Sequence, residues 1–64
     1  MIEIIGREKQ KIQLEKSEKL HDIYRIININ EEGFVAILNG TPATSDAVVN
    51  PGDNLVFLEI FSGG

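Results

Sequence analysis

Only one stretch of this 64-residue chain carries the repeat of a helix, and the apolar strands around it outnumber what one helix can cover. Leu20, Ile23, Tyr24 and Ile27 fall at i, i+3, i+4 and i+7, the single apolar stripe of an amphipathic helix about ten residues long. Lys19, His21, Asp22 and Arg25 occupy its other side, which faces water. Ser17 stands where an N-cap belongs, its hydroxyl able to accept from an otherwise unpaired amide, and Glu18 in the first turn suits the helix dipole. Residues 28–33 end the helix, and Gly33 suits a turn with positive φ.

The rest of the chain reads as strand and turn. Residues 1–5 are mostly apolar and β-branched, Gly6, Arg7, Glu8 and Lys9 supply a polar turn, and residues 10–14 settle into alternation, which together predicts an antiparallel hairpin. Residues 34–38 are apolar throughout and stop at Asn39-Gly40, a strong tight-turn signal. Residues 41–49 hold Pro42 and two short apolar patches, which predicts an irregular segment with a short edge strand near 47–49. Asn50, Pro51, Gly52 and Asp53 form a dense turn cluster before a final strand over 54–61. The order β, β, α, β, short β, β belongs to the α+β class: a mixed four- to five-stranded sheet with one helix across one face. No internal repeat or linker divides it, so one domain over 1–61 is expected, followed by a flexible tail at 62–64.

Alternation carries a functional consequence. If Ala36, Leu38, Leu55 and Phe57 face the helix, then Val35, Ile37, Val56 and Leu58 point the other way. Under either parity an apolar patch lies bare beside the C-terminal end, and such patches mark partner surfaces. The competing reading is that residues 41–49 fold over it.

Several function classes find little support. A chain this short buries only about 60% of its unfolded surface, which leaves little room for an enclosed active site. The absence of cysteine removes disulfides, thiolate metal sites and a thiol nucleophile together. No apolar run approaches the ~18 residues of a membrane span, and a cytoplasmic protein is expected. Ten acidic residues against six basic ones give a net charge of −4, which a nucleic-acid backbone would repel. His21 is a solvated surface histidine, and Asp22 and the Glu31-Glu32 pair read as solvation rather than acid–base machinery. Ser17 and Ser45 lack a base partner, and the glycines at 6, 33, 40 and 52 form no phosphate loop. The chain is therefore expected to be no enzyme itself, with no metal site and no bound cofactor.

The tail Phe61-Ser62-Gly63-Gly64 is the remaining chemistry. Gly-Gly has no β-carbon and passes through narrow gaps, and Ser62 to Gly64 reach roughly 10 Å when extended, roughly 17 Å with Ile60 and Phe61. A terminal carboxylate is ionised at neutral pH and is a poor electrophile, so a partner enzyme must activate it. Adenylation with Mg-ATP would give a mixed anhydride open to sulfur or amine nucleophiles. A frayed end and a residue of cloning are the competing readings of the tail.

The order of elements, Leu38-Asn39-Gly40 closing one strand, Pro51-Gly52-Asp53 opening the last, and the terminal Phe61-Ser62-Gly63-Gly64 together resemble the ThiS/MoaD sulfur carriers of the ubiquitin-like β-grasp group. The resemblance spans essentially the whole chain. It implies that Gly64 is adenylated by a ubiquitin-activating-like enzyme and converted to a thiocarboxylate, with Ser62 and Gly63 as the thread. A sulfur donor protein and an acceptor synthase would be the further partners, and the free carrier would be a monomer. Ile37, Val56 and Leu58 correspond to the outward patch by which ubiquitin-like proteins meet partners, and Phe61 would anchor the tail's base. The short chain, and Glu59-Ile60 where many MoaD sequences carry Pro-Pro, favour a thiamin-thiazole carrier over a molybdopterin one. Ser62 also fits carriers serving transfer-RNA thiolation and archaeal modifiers that join their terminal glycine to protein lysines.

Overall fold

The computed structural model describes residues 1–6 and 9–60. In chain order the elements are β1 (Ile2–Ile5), β2 (Gln10–Ile12), β3 (Glu18–Lys19), α1 (Leu20–Ile26), a 3-10 turn (Glu31–Gly33), β4 (Phe34–Leu38), β5 (Thr41–Pro42), β6 (Val48–Val49) and β7 (Leu55–Glu59). β1 and β7 run parallel at the centre of a five-stranded mixed sheet in the order β2-β1-β7-β4-β5, and its other pairings are antiparallel. This is the β-grasp arrangement: an α+β fold with one helix across one face of a mixed sheet.

Register settles which face is buried. Ala36 lies opposite Phe57 and Leu38 opposite Leu55, while Ile2 and Ile4 sit beside Leu55 and Phe57 across the parallel pair. These side chains meet Leu20, Ile23 and Tyr24 of α1 and Val49 of β6, and Leu55 and Phe57 are sealed completely. Tyr24 stacks on Phe57 with ring centroids 4.9 Å apart at 58°, a tilted pair worth about 0.5–1.5 kcal/mol beyond the buried area.

The helix departs from expectation at both ends. It spans seven residues, not ten, and its N-cap is Lys19, with no side-chain cap. Glu18 and Lys19 pair instead with Val49 and Val48 as the two-stranded sheet β3–β6, so Glu18 is not in the first turn. The first helical amides are taken by the loop between β5 and β6: Leu20 N donates to Ala47 O at 2.8 Å and His21 N to Ser45 O at 2.9 Å. Ser17, freed from capping, donates its hydroxyl to Asn50 Oδ1 at 2.6 Å. At the other end Asn28 takes φ 58°, with Asn28 N bonded to Arg25 O and Ile29 N to Tyr24 O. That pair of bonds is a Schellman close with asparagine in the left-handed position. Positive φ therefore falls on Asn28 rather than Gly33, which closes the 3-10 turn instead.

Asn39 and Gly40 both have positive φ (51° and 86°), as a two-residue hairpin turn of the primed type requires. The same turn is tied to the last strand, since Asn39 N donates to Asn54 O and Asn54 N to Asn39 Oδ1. The short strand expected near 47–49 exists as β6, but it belongs to the small sheet and not to an edge of the large one. The final strand is shorter than expected, and Phe61 lies outside the described residues.

Candidate functional site

The face of the sheet turned away from α1 is apolar over β4 and β7, which carry no polar residue on that side, and is bordered by Glu3 of β1 beside Val56 and by Lys11 of β2 beyond it. Val35 lies opposite Leu58 and Ile37 opposite Val56, and Ile5 neighbours Leu58 across the parallel pair. Beyond β7, Ile60 N still donates to Gly33 O at 2.8 Å, so the alternation continues and Ile60 follows Val56 and Leu58 onto the same face. Val35, Leu58 and Ile60 are 39%, 40% and 51% exposed, and Ile5, Ile37 and Val56 are half-buried between them. The residues from 43 to 47 do not cover this face. Their bonds to Leu20 and His21 hold them over the start of α1, on the opposite side.

Three of the expected partner-binding residues, Ile37, Val56 and Leu58, thus share one surface. The fourth, Phe61, and the tail residues Ser62, Gly63 and Gly64 lie outside the described residues, immediately after Ile60. Sequence reasoning named the alternation of Val35 but did not place it, Ile5 or Ile60 in the site. The alternation past residue 58 carried the signal for Ile60. Ile5 needed the parallel β1–β7 pairing, which no local pattern announces.

Polar groups elsewhere gather into no second centre among the described residues. His21 and Asp22 approach to 3.9 Å on the exposed side of α1. No group of three or more His, Cys, Asp or Glu side chains among the described residues is placed to hold a metal ion, and no helix there is long and apolar enough to cross a membrane. Thr44 donates its hydroxyl to Asp46 Oδ1 at 2.5 Å, and this bond, helped by the Asp46 backbone amide, holds the Asp46 carboxyl below its usual value. Burial, with the Glu31 carboxylate second, pushes the Tyr24 phenol up from 10.0.

A family model described as small archaeal modifier protein 2 matches residues 1–60. The chain belongs to the small archaeal modifier protein 2 family. That family is ubiquitin-like and β-grasp, in agreement with the sheet order and the single helix. For this member of it, the resemblance to ThiS/MoaD carriers holds at the level of the shared ubiquitin-like fold. Of the two uses of a terminal glycine, the family's description favours the protein modifier over the thiamin carrier that the sequence placed first. The matched span contains the whole bare face and ends at Ile60, the residue before Phe61.

Proposed function

We propose that this chain is a ubiquitin-like protein modifier, joined through the Gly64 carboxyl group to lysine amines of other proteins. The observation that carries the reading is the family match over residues 1–60. The bare apolar face supports it by offering a docking surface that reaches Ile60, the residue before Phe61.

The chemistry runs in two balanced steps. A carboxylate oxygen of Gly64 attacks the α-phosphorus of ATP in an activating enzyme, Mg²⁺ screens the phosphate charge, and pyrophosphate leaves. A deprotonated lysine amine then attacks the glycyl carbonyl carbon, AMP departs, and one proton is released as the isopeptide forms. This chain supplies the carboxyl group, the unhindered Gly63-Gly64 thread and the face that positions both. ATP, metal and catalytic groups belong to the enzyme. If sulfide rather than an amine attacks the same adenylate, the product is a thiocarboxylate, and a sulfur donor and an acceptor synthase for thiamin thiazole, molybdopterin or transfer-RNA thiolation replace the lysine partner.

The test follows from residue positions. The last basic residue is Arg25, so trypsin would leave residues 26–64 on an acceptor lysine. Cleavage after glutamate instead leaves the five residues from Ile60 to Gly64 as a branch, because Glu59 is the last glutamate. Incubation with a cognate activating enzyme, Mg-ATP and acceptor proteins should yield lysines bearing that branch. A free chain heavier by about 16 Da, with oxygen replaced by sulfur and no branched lysines, would instead establish the carrier.

A further inference from the structure

β4 is paired along its whole length on one side and along only half of the other. Ile60 N donates to Gly33 O and Asn39 N to Asn54 O, so the odd-numbered residues of β4 bond towards β7. Its even-numbered residues bond the other way. There β5 covers Leu38, and Ala43 N donates to Ala36 O at 3.0 Å before the chain departs towards α1. The Phe34 N–H is turned back to the Glu31 carbonyl as the closing amide of the 3-10 turn. The C=O of Phe34 and the N–H of Ala36 have no main-chain partner among the described residues. They open onto a groove of about 420 Å³ whose lining includes Tyr24, Phe34, Ala36, Pro42, Ala43 and Glu31. Glu31 is the charged residue of that lining, and exposed Glu32 stands beside it.

We propose that this half-edge docks an extended, basic segment of a partner polypeptide as a short parallel strand. An open edge satisfies its main-chain groups by strand addition. The two free groups fix the direction. In a parallel strand a single residue gives its N–H to Phe34 O and accepts from Ala36 N–H, so both are satisfied at once. An antiparallel strand needs the position Ala43 already holds against Ala36, and would leave the Ala36 N–H unpaired. The residue beside Phe34 then points into the groove and suits an apolar side chain, and the next lies beside Val35 on the bare face. The segment's N-terminal end reaches the Glu31–Gly33 turn, where basic side chains meet Glu31 and Glu32. A second copy fits poorly: edge pairing about a two-fold axis is antiparallel, and each chain carries a net charge of −4.

The inference stands apart from the fate of Gly64 and is tested on the full chain without an activating enzyme. The probe is the pentapeptide acetyl-Lys-Arg-Val-Ile-Val-amide, titrated to about 5 mM against isotopically labelled protein, a range that reveals millimolar binding. The Phe34 and Ala36 amides should shift, and the Ala36 amide should gain protection from exchange. A spin label at the probe's N-terminus should broaden residues 31–33 before 41–43. An acetyl-Glu-Glu-Val-Ile-Val-amide probe should bind about fivefold more weakly, and the E31K/E32K double variant should reverse that order. Overturning results are no shift by the top concentration, shifts confined to Val56 and Leu58, first broadening at 41–43, a preference that the charge variant leaves unchanged, or edge-mediated dimerisation of the protein alone in sedimentation.

Discussion

Replacing Gly6 with alanine tests the geometry at the root of the tail. Gly6 follows β1 and stands level with Glu59 across the parallel pair. A β-carbon built there would lie 2.7 Å from the Glu59 β-carbon, with the Glu59 carboxylate nearer still. Ordinary carbon–carbon contact lies at about 3.5–4.0 Å, so the two backbones must separate by about 1 Å. The atom met is a β-carbon fixed to the main chain, which no rotamer change can move aside. Overpacking of this kind costs about 1–3 kcal/mol. A domain of 64 residues has a total stability of about 3–10 kcal/mol, so the loss is a substantial share. In thermal unfolding followed by far-ultraviolet circular dichroism, each kcal/mol lost should lower Tm by about 4–8 °C. The opposite sign is a real alternative, because Gly→Ala at a site with room stabilises by about 0.4–1 kcal/mol through the unfolded chain. Glu59→Gly separates the two. In that background Gly6→Ala should cost much less, giving a coupling of about 1 kcal/mol or more. A stabilised Gly6→Ala variant, or no coupling with residue 59, would refute the close approach.

Adjacent residues of β7 should behave oppositely. Phe57→Ala empties a fully sealed position and should cost about 3–5 kcal/mol, enough to leave much of the chain unfolded in a urea titration. Leu58→Lys keeps the fold by circular dichroism but places a charge in the bare face, and should raise the KM for adenylation by a cognate activating enzyme by about tenfold or more, as for loss of a binding hot spot. Tyr24 is the only tyrosine, so phenolate absorbance reports it alone. Its midpoint should lie above 10.0, and Glu31→Gln should lower it part of the way. Because the folded value is raised, the contribution of the neutral phenol is fully present below the unfolded pKa of about 10 and is lost as pH rises through the folded value. Alkaline unfolding should therefore begin in that window.

How far the sequence reveals this molecule depends on the length of each pattern. The stripe of Leu20, Ile23, Tyr24 and Ile27, the uninterrupted apolar run of β4 and the Asn39-Gly40 turn are local signals several residues long, and the structure places each of them as read except that Ile27 packs on the core from the C-cap position, one residue past the helix. Alternation along β4 and β7 required one bare apolar face under either parity, and only the register of Ala36 with Phe57 decides which face it is. The β3–β6 pair has two residues on each side, too few for any period, and it decides the start of the helix. Because that pairing brings the main chain at 45 and 47 onto the first helical amides, Ser17 loses its capping role although its residue type is right for one. The swap of positive φ from Gly33 to Asn28 has the same origin. The Schellman close needs its left-handed residue directly after Ile27, and asparagine, which tolerates that conformation, already stands there. The site follows the same division. Ile37, Val56 and Leu58 are legible because alternation is local, while Ile5 joins them through a parallel pairing across some fifty residues of chain, formed only when the core closes. One short helix, with the loop between β5 and β6 drawn over its start, leaves nothing among the described residues to cover the far side of the sheet. The bare face and the half-open edge of β4 thus have a common cause: after Ala43 the chain turns away from β4, and residues 45 and 47 cap α1.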